Sequence, residues 1–487
     1  MFASESKERG VKMGQKQKKA IIGRRAGRLA GLKTSGAGRI VAAAALTCAT
    51  GAAHALNTGT DMNLSFKPAS GGMAGAAYTK PQEPSAAVFG NPATMTQLRG
   101  TNFGIGAAFL VPDVDVHQSG AGGSRTSSSD ARNYVIPDTA VTHEIGGGWF
   151  LGGGIELDAG IGVDYRDDPI TVPSVSTDPG VSGLPLLVEL ISFNANVAAA
   201  KQVTERTAVG AALTIGFGLA QLGTSGPSGS FGGLLGPAGC EPATAGSCGF
   251  DGNTSSVHDV GFGASIGLTH RLTSALTLSA ALKSPVKYKF KNILHQSAVG
   301  SPGFQDLTVE QPLEAIVGMA YDVTPNWMVE ADVVWKNWSS AETYQDVYDD
   351  QYLALVGTQY RTGPWSLRFG YSYAEDILRD TPSNTLGNLR GLGPIPLGAA
   401  AGSLGTDVVK LVQMTLVPVI WQHTIAAGVG FDLTSNVRVD AFGAYGFKNE
   451  EQRTTSIGAA LAGPVGPETY EAEVSAWAVG AGVNFRF

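Results

Sequence analysis

Long apolar runs are missing from the body of this sequence: beyond the first 55 positions no stretch of about eighteen strongly apolar residues occurs, which excludes a helical membrane protein. Charge is sparse too, at 15 % of 487 residues. Removing the 11 basic and 2 acidic residues of positions 1–55 leaves 23 basic and 39 acidic, a net charge of −16. An acidic balance of that size argues against a nucleic-acid partner. HExxH, paired CxxC and Walker-type glycine loops are all absent, so the common zinc and phosphate chemistries lack their ligands. Gly263-Ala264-Ser265-Ile266-Gly267 has the lettering of a hydrolase nucleophile elbow. An elbow sits in a sharp strand-to-helix turn, whereas here Phe262, Ala264, Ile266 and Leu268 continue an alternation into His270. No catalytic residue, metal or cofactor is therefore expected.

Cysteine is nearly absent. Cys48 follows Ala45-Leu46-Thr47, a poor lipidation signal, and the remaining two, Cys240 and Cys248, lie in a Gly/Pro/Ser-rich stretch. In an exported protein that pair is expected to form a disulfide; a metal site there has only His258 as a nearby candidate. Export is indicated by eight basic residues from Lys16 to Arg39, the apolar run Ile40 to Leu46 and the small-x-small site Ala53-His54-Ala55. Residues 1–55 are thus expected to be a signal peptide, with Met13 an alternative start.

What the chain does have is glycine, 66 residues of it, and period-two alternation. From Trp477 the odd positions read Trp477, Val479, Ala481, Val483, Phe485, Phe487, and the even ones Ala478, Gly480, Gly482, Asn484, Arg486. One face of such a strand is wholly apolar and the other small or polar. Soluble sandwiches also alternate, but aromatics at the rim of a span of about 9–11 residues favour a strand that crosses a bilayer.

Short turns recur at Val203–Arg206, Leu272–Ala275, Val323–Asn326 and Leu433–Asn436, with two more at Glu144–Gly148 and Thr362–Pro364. These six hairpins supply twelve strands, and the first near Thr101 and the last at Tyr470–Phe487 make fourteen, an even number as single-chain barrels require. Connections at 167–185, 223–256, 377–417 and 449–467 are long, so short turns fall on one side and long loops on the other. Val209, Ala211, Leu213, Ile215, Phe217 and Leu219 share one face, as do Trp365, Leu367, Phe369 and Tyr371. Glu330, Asp332, Lys336, Arg368, Arg438 and Asp440 sit opposite such stripes, and are expected in the lumen because charges facing lipid cost about 2–4 kcal/mol at mid-depth. Trp327, Trp335, Trp338, Trp421 and Trp477 lie near strand ends, where aromatic girdles are expected.

Lys287, Lys289 and Lys291 alternate with Val286, Tyr288 and Phe290. Two readings stand: solvation or pairing with lumen carboxylates, or, together with Arg368, a positive site for an anionic ligand head group. Residues 56–98 show no alternation and need something to pack against.

Gly71-Gly72-Met73-Ala74-Gly75-Ala76-Ala77 followed by Asn91-Pro92-Ala93-Thr94-Met95-Thr96-Gln97-Leu98 resembles the N-terminal plug of the FadL long-chain fatty acid transporter family. Val286–Lys291, Trp335–Ser339 and Tyr470–Phe487 resemble that family in matching order. The resemblance implies an all-β fold: a transmembrane antiparallel β-barrel of 14 strands spanning residues 100–487, in the outer membrane of a Gram-negative cell. It also implies a periplasmic plug, or hatch, at residues 56–99. Hydrophobic molecules, long-chain fatty acids or aromatic and aliphatic hydrocarbons, would enter passively and leave sideways into the outer-membrane lipid near a kink in the third strand. Gly152, Gly154, Gly160 and Gly162 fall in that strand, where glycine permits a kink. Asn91, Pro92 and Ala93 would form the gate, Asn91 lying near the kink. A monomer without cofactor is expected. The alternatives are a structural or adhesin barrel without transport, which needs no plug, and a hydrophilic porin. The segments 223–256 and 386–417 depart from the family pattern.

Overall fold

The computed structural model describes residues 62–224, 250–252, 256–296, 303–380 and 401–487. The expected signal peptide and the Cys240–Cys248 pair lie outside these residues. No described helix is long and apolar enough to cross a membrane; the crossing elements are strands.

Eighteen strand segments form one sheet. Three pairs of segments are single strands broken midway, and Phe250–Gly252 is a short outlying piece, so the wall has fourteen staves. They are β1 (Thr101–Gly120), β2 (Gly123–Ser128 and Tyr134–Gly146), β3 (Trp149–Asp164), β4 (Leu186–Gln202), β5 (Thr207–Thr224), β6 (Val257–Arg271), and β7 (Leu276–Lys283 and Val286–Gln296). The rest are β8 (Gly303–Gln311 and Glu314–Thr324), β9 (Trp327–Lys336), β10 (Gln351–Thr362), β11 (Trp365–Ala374), β12 (His423–Asp432), β13 (Val437–Thr455) and β14 (Glu468–Arg486). Successive staves pair antiparallel, and β1 pairs with β14 from Asn102↔Arg486 to Ser119↔Thr469, which closes the barrel. Closure removes the sheet edges that lipid would leave unsatisfied.

All six expected short turns occur where the sequence places them. Four share one device, a threonine whose hydroxyl accepts backbone N–H groups two or three residues on. Thr204 takes Arg206 (3.2 Å) and Thr207 (3.0 Å), Thr273 takes Ala275 and Leu276, Thr434 takes Asn436 and Val437, and Thr324 takes Asn326. Such local bonds replace the turn's missing ladder partners.

The faces also fall as the alternation requires. Leu213, Ile215, Leu367 and Phe369 are exposed on the outer surface, while Glu330, Asp332, Lys336, Arg368, Arg438 and Asp440 are buried inside. Two tryptophans depart from the girdle expectation: Trp327 and Trp477 are exposed, but Trp338 and Trp421 are buried in a core at the outer end. There Trp338 meets Tyr344 and Tyr348 edge-on at 5.0 and 5.7 Å between ring centres, an arrangement aromatic quadrupoles favour. The helix α1 (Ala401–Thr415), within the segment that departs from the family pattern, joins this core through Val409, Leu411 and Met414. Gln413 Nε2 fastens it by donating to the carbonyls of Val347 (2.9 Å) and Arg379 (3.0 Å).

Candidate functional site

Residues 62–98 pack inside the ring of strands as four short helical turns, Leu64–Phe66, Ser70–Met73, Ala86–Gly90 and Pro92–Gln97. Small residues set how closely they approach the wall. A Cβ on Gly71 would lie 2.8 Å from the Phe442 ring, and one on Gly72 would lie 2.7 Å from the Cα of Gly428. Buried charge anchors the segment. Lys67 is ion-paired with Glu156 of β3 and with Asp138 of β2 at 3.1 Å, and Ser85 Oγ donates to Asp138 at 2.7 Å. Burial would lower the Lys67 pKa, but the two carboxylates outweigh it and hold the ammonium above its usual range. Further round, Glu330 accepts the Thr79 backbone N–H at 2.7 Å, and on β11 Arg368 pairs with Asp440 at 2.8 Å.

Beyond this charged layer, toward the long loops, the interior is apolar. Leu110 and Val114 of β1, Ile161 and Val163 of β3, and Leu190 and Ile191 of β4 belong to one buried cluster, which reaches Phe66 inward and the Trp338 core outward.

The third strand is where that cluster meets the wall. The β2–β3 ladder runs from Gly146↔Trp149 to Asp138↔Glu156 and stops. Pro137, which lacks an N–H, follows on the β2 side, while β3 shifts register against β4 between Leu157 and Ala159. From Leu157 to Val163 every residue is buried and the in–out alternation is lost, so this part of β3 leans into the barrel. The two chains meet again where Asp130 N–H donates to the Asp164 carbonyl at 2.9 Å. Met62 N–H reaches the Asp158 carbonyl inside this gap at 2.5 Å. The four expected glycines are distributed along it. A Cβ on Gly152 would lie 2.5 Å from Met95 Sδ and one on Gly154 would lie 2.8 Å from the Ala140 Cβ, both below the gap. Gly160 and Gly162 pair with Ile191 and Glu189 of β4, in the part of β3 that has no β2 partner.

A second gap was not anticipated. The β6–β7 ladder ends at Ser265↔Lys283, and after Ser284-Pro285 the outer half of β7 turns inward. Val286, Tyr288 and Phe290 lie over glycines of the neighbouring staves: Cβ atoms on Gly218, Gly261 and Gly263 would come within 2.9 Å of their side chains. The reading of Lys287, Lys289 and Lys291 with Arg368 as one head-group site is corrected by this inversion. With the apolar residues turned in, Lys287, Lys289 and Lys291 are exposed on the opposite face of the hairpin. Lys287 pairs with Glu342 (2.9 Å) and Glu310 (3.3 Å), and Lys289 with Asp306 (3.4 Å). Arg368 is buried in the charged layer, so the four cations do not form one head-group site.

Asn91 is also away from its expected place. Its Oδ1 accepts from Ala93 N–H at 3.2 Å, as an N-cap before Pro92, while Nδ2 donates to the Leu268 carbonyl at 3.5 Å and the Ala280 carbonyl at 3.4 Å, on β6 and β7. The contact with β3 comes instead from Lys67, a residue that sequence spacing did not single out. The signal available was a lysine in an otherwise uncharged stretch, Asn63–Tyr78.

Residues 42–385 match the family model described as outer membrane protein transport protein (OMPP1/FadL/TodX). The chain belongs to this family. Fourteen closed antiparallel staves with an OMPP1/FadL/TodX match place it in the outer membrane. Among solved structures it is similar to the toluene transporter TodX of Pseudomonas putida, at 19 % identity, 86 % coverage of this chain, 98 % of that one and a TM-score of 0.58. The Ralstonia pickettii toluene transporter TbuX gives 20 %, 87 %, 99 % and 0.58. A Pseudomonas aeruginosa FadL homologue gives 13 %, 89 %, 100 % and 0.63. These identities carry the fold alone. No curated protein matches the sequence.

Proposed function

We propose that the chain is a passive uptake channel for hydrophobic compounds, with long-chain fatty acids and aromatic or aliphatic hydrocarbons as the candidate classes. Residues 62–98 act as the plug, and ligand leaves sideways into the outer-membrane lipid between β2 and β3. The observation that carries this reading is the coincidence of the buried apolar cluster with the β2–β3 gap. In lipid each unsatisfied backbone group costs several kcal/mol, so an exit belongs where pairing has already been given up. Relatives of this fold named as toluene transporters agree with an apolar cargo. An apolar solute crosses the polar lipopolysaccharide layer poorly, and a protein that hands it to the bilayer midway removes that barrier. The protein works as a monomer and uses no cofactor.

Uptake of radiolabelled oleate and toluene by cells with and without the protein is the test. Faster entry of either, with no added conductance to ions and sugars, is expected. Conductance to small polar solutes without hydrophobic uptake would make it a porin instead.

A further inference from the structure

A cavity of about 40 Å³ lies at mid-barrel between the two gaps, bounded by Glu156 and Asp158 on the β3 side and by Ser265, Lys283 and Ser284 on the β6–β7 side. Phe89 of the N-terminal segment and Val286 also line it. Such a volume holds about three waters or one small polar group.

Four side chains on its wall are more than nine-tenths buried and carry polar atoms without a hydrogen-bond partner among the described residues. They are Asn194 Oδ1, Asn196 Oδ1, Ser265 Oγ and both amide atoms of Gln311. Buried polar atoms are almost always partnered, so five such atoms on the wall of one space indicate an occupant that supplies the missing bonds. They are two amide oxygens that accept, one amide that does both, and a hydroxyl that does both. Of the charges nearby, Lys283 and Lys336 each hold Glu314 at 3.0 Å and Lys67 holds Glu156, while Asp158 accepts from Ser192 Oγ at 3.5 Å. Three carboxylates and one ammonium line the cavity itself, a balance that repels an anion.

We infer that this cavity is a subsite for a neutral hydroxyl group on an otherwise apolar ligand, an alcohol or phenol whose body lies against the outer apolar cluster. The inference rests on the uptake function proposed above and names a cargo class within it. Val286 belongs both to the cavity wall and to the apolar cluster, so head and body sites are contiguous. A hydroxyl donates to Asn194 or Asn196 and accepts from Gln311 or Ser265. Water fills the cavity when a pure hydrocarbon is bound.

The test is equilibrium binding of p-cresol, toluene and 4-methylbenzoate to the purified full-length protein in detergent. p-Cresol is expected to bind roughly tenfold more tightly than toluene, with 4-methylbenzoate the weakest. The Asn194→Leu, Gln311→Leu double variant should bring p-cresol down to the toluene level and leave toluene unchanged. Ser265→Ala, which changes one atom, should lower the p-cresol preference two- to fivefold and guards against misfolding of the double variant. Equal binding of p-cresol and toluene by the wild-type protein, or a preference that survives both variants, overturns the subsite. Tightest binding of 4-methylbenzoate overturns it in favour of an anion site at Lys283. If none of the three binds, the uptake function itself fails.

Discussion

Two seams open in the outer half of one barrel wall, β2–β3 above Asp138↔Glu156 and β6–β7 above Ser265↔Lys283, and they are built differently. Behind the first lies the apolar cluster that includes Leu157, Ile161 and Val163 of β3 itself, with Lys67 of the inner segment pinned to both strands at its foot. Behind the second lies the barrel's own hairpin, Val286, Tyr288 and Phe290 flat against glycines. Side chains also take up the loosened backbone there: Ser284 Oγ accepts Ala264 N–H at 2.9 Å and Asp259 accepts Lys289 N–H at 2.7 Å. Phe262, at 71 % exposure, still presents an apolar surface outside that seam. An interrupted ladder is thus common to both seams. What differs is what takes up the loosened backbone: at the first seam Met62 N–H of the inner segment reaches the Asp158 carbonyl, and at the second the strands' own side chains do so.

The sharpest way to break this distinction is to close the first seam. Gly160→Val with Gly162→Val should fill the space into which β3 leans and abolish hydrophobic uptake, while the barrel still assembles and reaches the surface. Normal uptake by a well-assembled variant would remove β2–β3 as the route. Next in size is the latch. Lys67→Met leaves Glu156 and Asp138 buried without their cation, a loss of about 3–5 kcal/mol, read as a lower midpoint of heat modification. An unchanged midpoint would mean that the pair is replaced by water at no cost.

A smaller effect concerns Glu83, which shapes the loop carrying Lys67 by accepting the Ala69 and Ser70 backbone N–H groups. Burial pushes its carboxyl up to about 7 from 4.5. A raised folded-state pKa means a contribution that is intact below about 4.5 and lost as pH rises to about 7. Glu83→Gln should therefore flatten the stability profile between those limits, by up to about 3 kcal/mol at neutral pH. A slope that persists in the variant would assign it to other groups. The smallest change is expected at the second seam: Asp259→Ala frees one exposed N–H, costs about 1 kcal/mol, and should leave hydrophobic uptake at the wild-type rate. Impaired uptake there would make the second seam a path in its own right.

Local chemistry was legible in the sequence and long-range geometry was not. Thr204, Thr273, Thr324 and Thr434 announce their turns because the bonds that make them reach only two or three residues. Lumen charges such as Asp332 and Arg438 were assignable because a strand has only two faces. Lys287 was left with two readings for the same reason: alternation tells two faces apart without saying which is inside, and Pro285 lets the outer half of β7 invert its neighbours' rule. Trp338 and Trp421 misled because a girdle residue and a residue capping the outer core have the same position along a strand. Glycine content pointed to the third strand, but the partner that secures its foot, Lys67, is 89 residues from Glu156 and left no periodic trace.

The pairing of the first and last strands bears on time as well as space. Thr101 and Phe487 exchange two backbone hydrogen bonds, at 3.1 and 2.8 Å, so the closing pair of strands stays bonded as far as Phe487. Until it is in place, both β1 and β14 present a long bare edge, open to any other strand in reach. Contacts between such distant residues form slowly, which lengthens that exposure and calls for an escort during export. The inner segment is synthesised first, and its buried ammonium must find Glu156 and Asp138 while the ring is still open at that edge or through its short-turn end. Encapsulation of residues 62–98 is then a step of biogenesis, with its own order, and a chain truncated at the C-terminus would fail by leaving the enclosure unsealed around an already seated occupant.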